Sequence, residues 1–287
     1  MVTRLTIDTP RGQFAVRASG SPDNPLVLHL HGFPDDASTF EALGEGLAGR
    51  GFYAVAPFCR GYAPSPLANP DGSRFGKDLF AVLAADVVAL ADALAPGAPF
   101  RLVGHDNGAF TVYHVLALAP ERVARAVTLA AAHPATVFRN TSRSPRQLWR
   151  SRYAVLFQIP RVSEWIVRHN DFAYVEGLWR RWSPGWDLPP DHLTAVKKTL
   201  AASFPAPILH YRSGGFGPGE EWPPLPTPTL YLVGARDGCV LPAMADGQQH
   251  RFAGAFRSEV IPDAGHFPHL EQPAVVGRLI EDWLAAT

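Results

Sequence analysis

The sequence predicts an α/β protein: a mostly parallel sheet covered on both faces by helices, with a helical layer inserted part-way along the chain. Three observations predict it. Short apolar runs alternate with helical runs up to about residue 131, the alternation lapses for some ninety residues after Pro134, and it resumes at Thr229. Strands separated by helical runs of this length need crossover connections, which give parallel pairing and two covered faces.

The elements follow in order. Residues 3–8 and 12–18 alternate polar with apolar and read as a hairpin, leading into the buried strand 26–31, which stops at Gly32-Phe33-Pro34. A helix over about 37–49, a strand 52–57, a helix over about 77–94, a strand 100–105, a helix 108–118 and a strand 123–131 complete the first half. The interruption carries helical stretches over 161–182 and 190–202 with no strand between them. A strand 229–234, a helix near 241–251, a strand near 256–261 and an amphipathic helix over about 271–285 close the chain. The expected organisation is one core domain, residues 1–133 with 223–287, and a helical cap, residues 134–222.

Composition narrows the function. The 287 residues carry 26 Lys+Arg against 26 Asp+Glu, so no long basic surface for nucleic acid is expected. With 47% hydrophobic and 18% charged residues, the chain has material for a large core and too little charge for disorder. Glycine (25) and proline (28) cluster between apolar runs without a period, which marks ordered loops. Two cysteines, Cys59 and Cys239, are too few for a disulfide framework. No run reaches the roughly 18 apolar residues of a transmembrane helix, and the N-terminus alternates like a strand where a signal peptide would be apolar. The expectation is a soluble cytoplasmic protein that binds neither nucleic acid nor membrane, as a monomer or homodimer. The cap holds six of the seven tryptophans and 12 Lys/Arg against 7 Asp/Glu, read as bulky packing for a small helical layer and as a solvated face.

The chemistry concentrates at three strand ends. Gly104-His105-Asp106-Asn107-Gly108 runs from a strand straight into a helix through a glycine-flanked turn, the layout of a nucleophile elbow with Asp106 where serine is common. Such a turn aims its central residue out at the tip of the sheet, where open α/β sheets bind ligands. The plain alternative, an aspartate capping a helix, explains Asp106 alone and leaves its partners unexplained. Gly265-His266 lies between the last strand and the last helix, and Asp237 follows the strand ending at Gly234. The order nucleophile, acid, histidine is the one this layout requires, with Asp237 orienting the imidazole. No acid follows the strand ending near Ala131, the other place for one. His29 with His31, and His266 with His269, have spacings a metal could use, but no cysteine or carboxylate cluster joins them. No glycine-rich phosphate loop occurs, so no cofactor is expected.

These residues, with His31-Gly32-Phe33-Pro34 and Arg60-Gly61-Tyr62-Ala63-Pro64-Ser65, resemble the α/β-hydrolase fold over essentially the whole chain, in the aspartate-nucleophile branch of epoxide hydrolases and dehalogenases. Tyr153 and Tyr211, both in the cap, stand where epoxide hydrolases carry their paired ring-opening tyrosines. A phenol with a pKa near 10 stays protonated at neutral pH yet can donate to a developing alkoxide. The resemblance implies hydrolysis of an epoxide to a vicinal diol through an ester on Asp106, with water and a small epoxide as substrates, and the aromatic-rich cap points to a hydrophobic one. The backbone N–H groups of Phe33 and Asn107 would form the oxyanion hole, since Pro34 has none to offer. The alternative is a haloalkane or haloacid dehalogenase built on the same nucleophile. Asn107, Phe33 and Phe110 stand where those enzymes carry halide-holding tryptophan or carboxylate-gripping arginine, which weakens that reading. Asn107 also departs from the tryptophan common in epoxide hydrolases. A ligand-binding homologue without turnover is a third class, and a complete triad argues against it.

Overall fold

The apolar runs build one eight-stranded sheet in the computed structural model, which describes residues 1–76, 78–213 and 222–286. Its strands are β1 (Thr3–Thr9), β2 (Gly12–Ser19), β3 (Leu26–Leu30), β4 (Tyr53–Pro57), β5 (Phe100–His105), β6 (Val123–Leu129), β7 (Thr229–Gly234) and β8 (Phe256–Ile261), in the spatial order β1-β2-β4-β3-β5-β6-β7-β8. The β1–β2 and β2–β4 pairings are antiparallel and all others parallel. The chain leaves β3 toward β4 on one side, and β5 lies on the other. Connections therefore diverge at the β3–β5 boundary, the position at which such sheets open a ligand crevice.

Neighbouring residues of one strand face opposite layers, and both are apolar because both layers are covered. Leu102 of β5 packs into a core with Leu28, Val112 and Leu116, beneath α2 (Leu79–Leu94) and α3 (Asn107–Leu118). Val103 packs the other way, with Val27, Leu47, Ile280 and Leu284, beneath α1 (Glu41–Gly49) and the C-terminal α11 (Pro273–Ala285).

Six helices lie between β6 and β7 among the described residues: α4 (Pro134–Thr141), α5 (Pro145–Arg150), α6 (Arg152–Phe157), α7 (Val162–Trp182), α8 (Pro190–Ser203) and α9 (Ala206–Ser213). They close a third core in which Phe157, Val167, Leu178, Trp182 and Ile208 meet Phe33, Tyr62 and Phe267 from the loops of the sheet. Packing accounts for Trp179 and Trp182, which are buried, while Trp149 and Trp165 are 69% and 64% exposed.

Local readings differ in five places. The helix expected from 37 begins as a 3-10 turn, Ala37–Phe40, whose Asp36 side chain accepts from the Ser38 N–H. The helix expected near 241–251 is two separate 3-10 turns, Pro242–Ala245 and Gln248–Arg251, because Gly247 between them adopts φ +82°. The strand expected to reach 131 stops at Leu129, since Ala130 turns to φ +57°. The helix α7 is broken at His169–Phe172, and the final helix begins at Pro273 after a separate turn, Pro268–Glu271. The helix expected from about 77 is described from Leu79, Lys77 itself and residues 214–221 of the expected cap lying outside the described residues.

Candidate active site

Asp106 stands between β5 and α3 with φ +52°, a conformation that a non-glycine residue holds only where its surroundings enforce it. The flanking glycines make that possible. A Cβ at Gly108 would lie 1.9 Å from the carbonyl oxygen of Leu30, and one at Gly104 would lie 2.5 Å from that of Gly108. Helix and strands thus approach more closely than any side chain permits, and the turn presents Asp106 at the crevice between the tips of β3 and β5.

The two carboxylate oxygens of Asp106 have different partners. The Phe33 N–H donates to Oδ1 at 3.0 Å, while Oδ2 lies 3.5 Å from His266 Nε2. Asn107 is the first residue of α3, so its N–H belongs to the set that a helix N-terminus leaves without an intrahelical acceptor. His266 donates from Nδ1 to Asp237 Oδ2 at 2.9 Å. Asp237 Oδ1 in turn accepts from the N–H groups of Cys239 (2.7 Å) and Val240 (2.8 Å). All three residues are buried.

Electrostatics follow from this geometry. Burial opposes a charge on His266, but the carboxylates of Asp237 and Asp106 outweigh it and raise the imidazole to about 10. Burial likewise pushes the Asp106 carboxyl up, and the His266 contact overcomes it, holding Asp106 below its ordinary value. At neutral pH the site therefore rests as an imidazolium between two carboxylates.

Tyr153 on α6 and Tyr211 on α9 face each other with ring centroids 5.6 Å apart. The Tyr153 hydroxyl lies 3.5 Å from Cys239 Sγ, and its ring packs on Trp182, which in turn packs on the His266 ring. Tyr211 packs edge-on against Phe33, and its buried hydroxyl makes no hydrogen bond of ordinary geometry among the described residues, with the Tyr153 side chain close enough to influence its ionisation. Burial raises both phenols well above the usual value, and the nearby Asp106 carboxylate adds to the effect in each. Both stay protonated at any physiological pH.

Sequence reasoning missed the clamp behind the histidine. Glu271 accepts from the N–H groups of Gly265 (2.6 Å) and Phe267 (2.9 Å) and from Ser183 Oγ (2.6 Å), and Ser183 Oγ also accepts from the His266 N–H. One carboxylate thereby fixes both sides of His266 and ties the loop to the end of α7. Its signal was Glu271 five residues beyond His266 and just ahead of Pro273, a short range in which a carboxylate can reach back to loop N–H groups. His105 is structural: Nε2 donates to the His266 carbonyl at 2.8 Å, and burial lowers its pKa to about 4. His269 is engaged by Thr39 Oγ1 at 2.7 Å. Among the described residues no group of three His, Cys, Asp or Glu could hold a metal ion.

A doubly covered, mostly parallel sheet with an aspartate in a strained turn after β5 and an acid–histidine pair after β7 and β8 has the layout of an α/β hydrolase. The model of the α/β hydrolase fold family matches residues 25–273, and the chain belongs to that family. It is 28% identical over 280 residues to Epoxide hydrolase 3 of Xenopus tropicalis, covering 95% of this chain and 74% of that protein. It is 28% identical over 275 residues to Epoxide hydrolase 4 of Mus musculus, covering 93% and 75%. Among solved structures, one of the novel epoxide hydrolases from metagenomes of hot environments shares the fold, with a TM-score of 0.85 at 24% identity over the full length of both chains.

Proposed function

We propose that this protein is an epoxide hydrolase, converting an epoxide to a vicinal diol through a covalent ester on Asp106. The observation that carries the reading is the pair of buried phenols, Tyr153 and Tyr211, protonated and facing each other beside the triad. A halide leaving group needs no proton, whereas an epoxide oxygen does. The curated relatives named epoxide hydrolase, matched over nearly the whole chain, support the same reading.

In the first step Asp106 Oδ2, the oxygen that Phe33 leaves free, attacks an epoxide carbon while the phenols hydrogen-bond the ring oxygen. The carbon–oxygen bond breaks, its electron pair stays on oxygen, and a phenol supplies the proton. The His266 imidazolium replaces that proton. Esterification removes the charge of Asp106, one of the two carboxylates that keep His266 protonated, so the first step itself prepares a neutral imidazole. In the second step His266, oriented by Asp237, takes a proton from water, which attacks the ester carbonyl carbon. Charge then develops on Oδ1, against the N–H groups of Phe33 and Asn107. The tetrahedral intermediate collapses, the ester C–O bond breaks with its electron pair on the leaving oxygen, and the proton of the added hydroxyl passes to that oxygen, so the diol leaves and Asp106 returns as a carboxylate beside the His266 imidazolium.

Residues 134–222 serve as a cap that carries the ring-opening phenols. No helix among the described residues is long and apolar enough to cross a membrane. Cys59 and Cys239 are both free thiols, which supports a reducing, cytoplasmic location. The test is product analysis with matched epoxide and haloalkane panels: diol from epoxides is expected, and halide release without diol formation would favour the dehalogenase alternative.

A further inference from the structure

The excess positive charge of the cap is not spread evenly. From residue 134 to 163 there are six arginines and not one Asp or Glu. Two of them, Arg150 and Arg152, join Arg181 in lining a cavity of about 40 Å³ whose wall also includes Tyr153, Tyr174 and Trp182. Tyr153 packs on Trp182 and Trp182 on the His266 ring, so one wall of this cavity is shared with the residues around the proposed active site.

The three guanidinium groups, Arg150 half-buried and Arg152 and Arg181 exposed, have no carboxylate partner among the described residues. Arg150 donates to the backbone carbonyl of Asp237. Arg152 donates to the carbonyl of Trp149 at 2.8 Å and lies 4.6 Å over its ring, and Arg181 lies 5.7 Å over the ring of Tyr174. None of the three forms an ion pair among the described residues, whereas Arg180 on α7, Lys197 on α8 and Arg212 on α9 all do. Three cations lining one pocket with no acid among its walls attract an anion, the more strongly the more solvent it displaces. The volume accommodates about three non-hydrogen atoms, the size of a carboxylate, and the planar guanidinium is suited to binding one through paired hydrogen bonds.

We propose that this cavity is an anion subsite that binds a carboxylate on the substrate, so that the preferred epoxides carry a carboxylate held beside Tyr153 while the ring reaches Asp106. The substrate assignment rests on the epoxide hydrolase reading above, and the experiment separates the two. Turnover of 4-(oxiran-2-yl)benzoate is compared with that of styrene oxide, which lacks only the carboxylate, in the wild type and in Arg152→Gln and Arg181→Gln. The wild type should favour the benzoate, and each variant should raise KM for it about tenfold more than for styrene oxide. The preference should also weaken with added salt. Equal handling of both epoxides by the wild type, or equal losses on both in the variants, would overturn the subsite. Calorimetry with 4-ethylbenzoate against 4-ethylbenzyl alcohol reads the same site without turnover. Benzoate binding lost in the variants, with neither epoxide consumed, would keep the subsite and reject the epoxide reading. Benzoate binding no tighter than that of the alcohol would reject the subsite whatever the turnover.

Discussion

Asp106, Asp237 and His266 stand on strand tips and are fixed by hydrogen bonds to and from backbone, whereas Tyr153 and Tyr211 hang from two short helices and are held by ring packing. Asp237 receives two N–H groups, Asp106 receives one, and the His266 loop is clamped by Glu271. Among the described residues the buried Tyr211 hydroxyl makes no hydrogen bond of ordinary geometry, and Tyr153 makes a long contact to sulfur, the two phenols being each other's polar neighbours. An unpaired buried hydroxyl costs on the order of 1–3 kcal/mol, a cost that a ligand oxygen can relieve. The difference divides the labour. In the proposed mechanism the sheet supplies an attack and hydrolysis apparatus that any ester intermediate could use, and the inserted helices select the electrophile that reaches it.

The sharpest break in this comparison comes from the sheet side. Asp106→Ala should reduce diol formation by about 10⁴-fold or more, measured by product chromatography, because no other group can form the ester. On the cap side, Tyr153→Phe or Tyr211→Phe should each lower kcat by roughly 100-fold, and the double variant by far more, with thermal stability unchanged or improved at Tyr211. A loss of stability at Tyr211→Phe would contradict the reading of its hydroxyl as unpaired. Glu271→Gln should lower kcat about tenfold with little change in KM, since it loosens His266 without touching substrate. The Gln variant should also move the alkaline limb of the pH profile, which a merely structural change would leave in place.

The smallest effect concerns stability against pH. His29 and His210 are held near 3, and His105 and His133 near 4, burial being the main cause in each. Unfolded, each would bind a proton near 6.5, so the unfolded state takes up protons as pH falls through 6.5. Stability should then decline between pH 6.5 and about 4, at up to about 1.4 kcal/mol per pH unit for each histidine. His266 runs the other way: its stabilisation is complete below 6.5 and fades as pH rises toward about 10. Scanning calorimetry should therefore show a melting midpoint highest near neutrality, and a flat midpoint from pH 6.5 down to 4.5 would contradict the burial of these imidazoles.

The sheet was legible because its signals are local. Glycines at 104 and 108, an acid at 237 and Gly265-His266 each follow an apolar run, and the close approach at Gly108 explains why such motifs tolerate no substitute. The cap was legible as helical but not in its details. The break at His169–Phe172 and the exposure of Trp149 and Trp165 depend on which helix packs where, and tertiary contacts decide that. Glu271 and Ser183 escaped notice because they join segments 88 residues apart, a pairing with no periodic signature. The charge excess of the cap reads as a solvated face, and Arg152 and Arg181 are exposed; that they line one cavity with Arg150 depends on how three helices pack.

The central claim is a covalent ester on Asp106, and it is tested most directly in His266→Gln, where the ester should form but hydrolysis should stall. After exposure to an epoxide, intact mass spectrometry should show a gain equal to the whole epoxide, and peptide mapping should place it on Asp106. Absence of any adduct under conditions in which the wild type forms diol, or an adduct on another residue, would contradict the account.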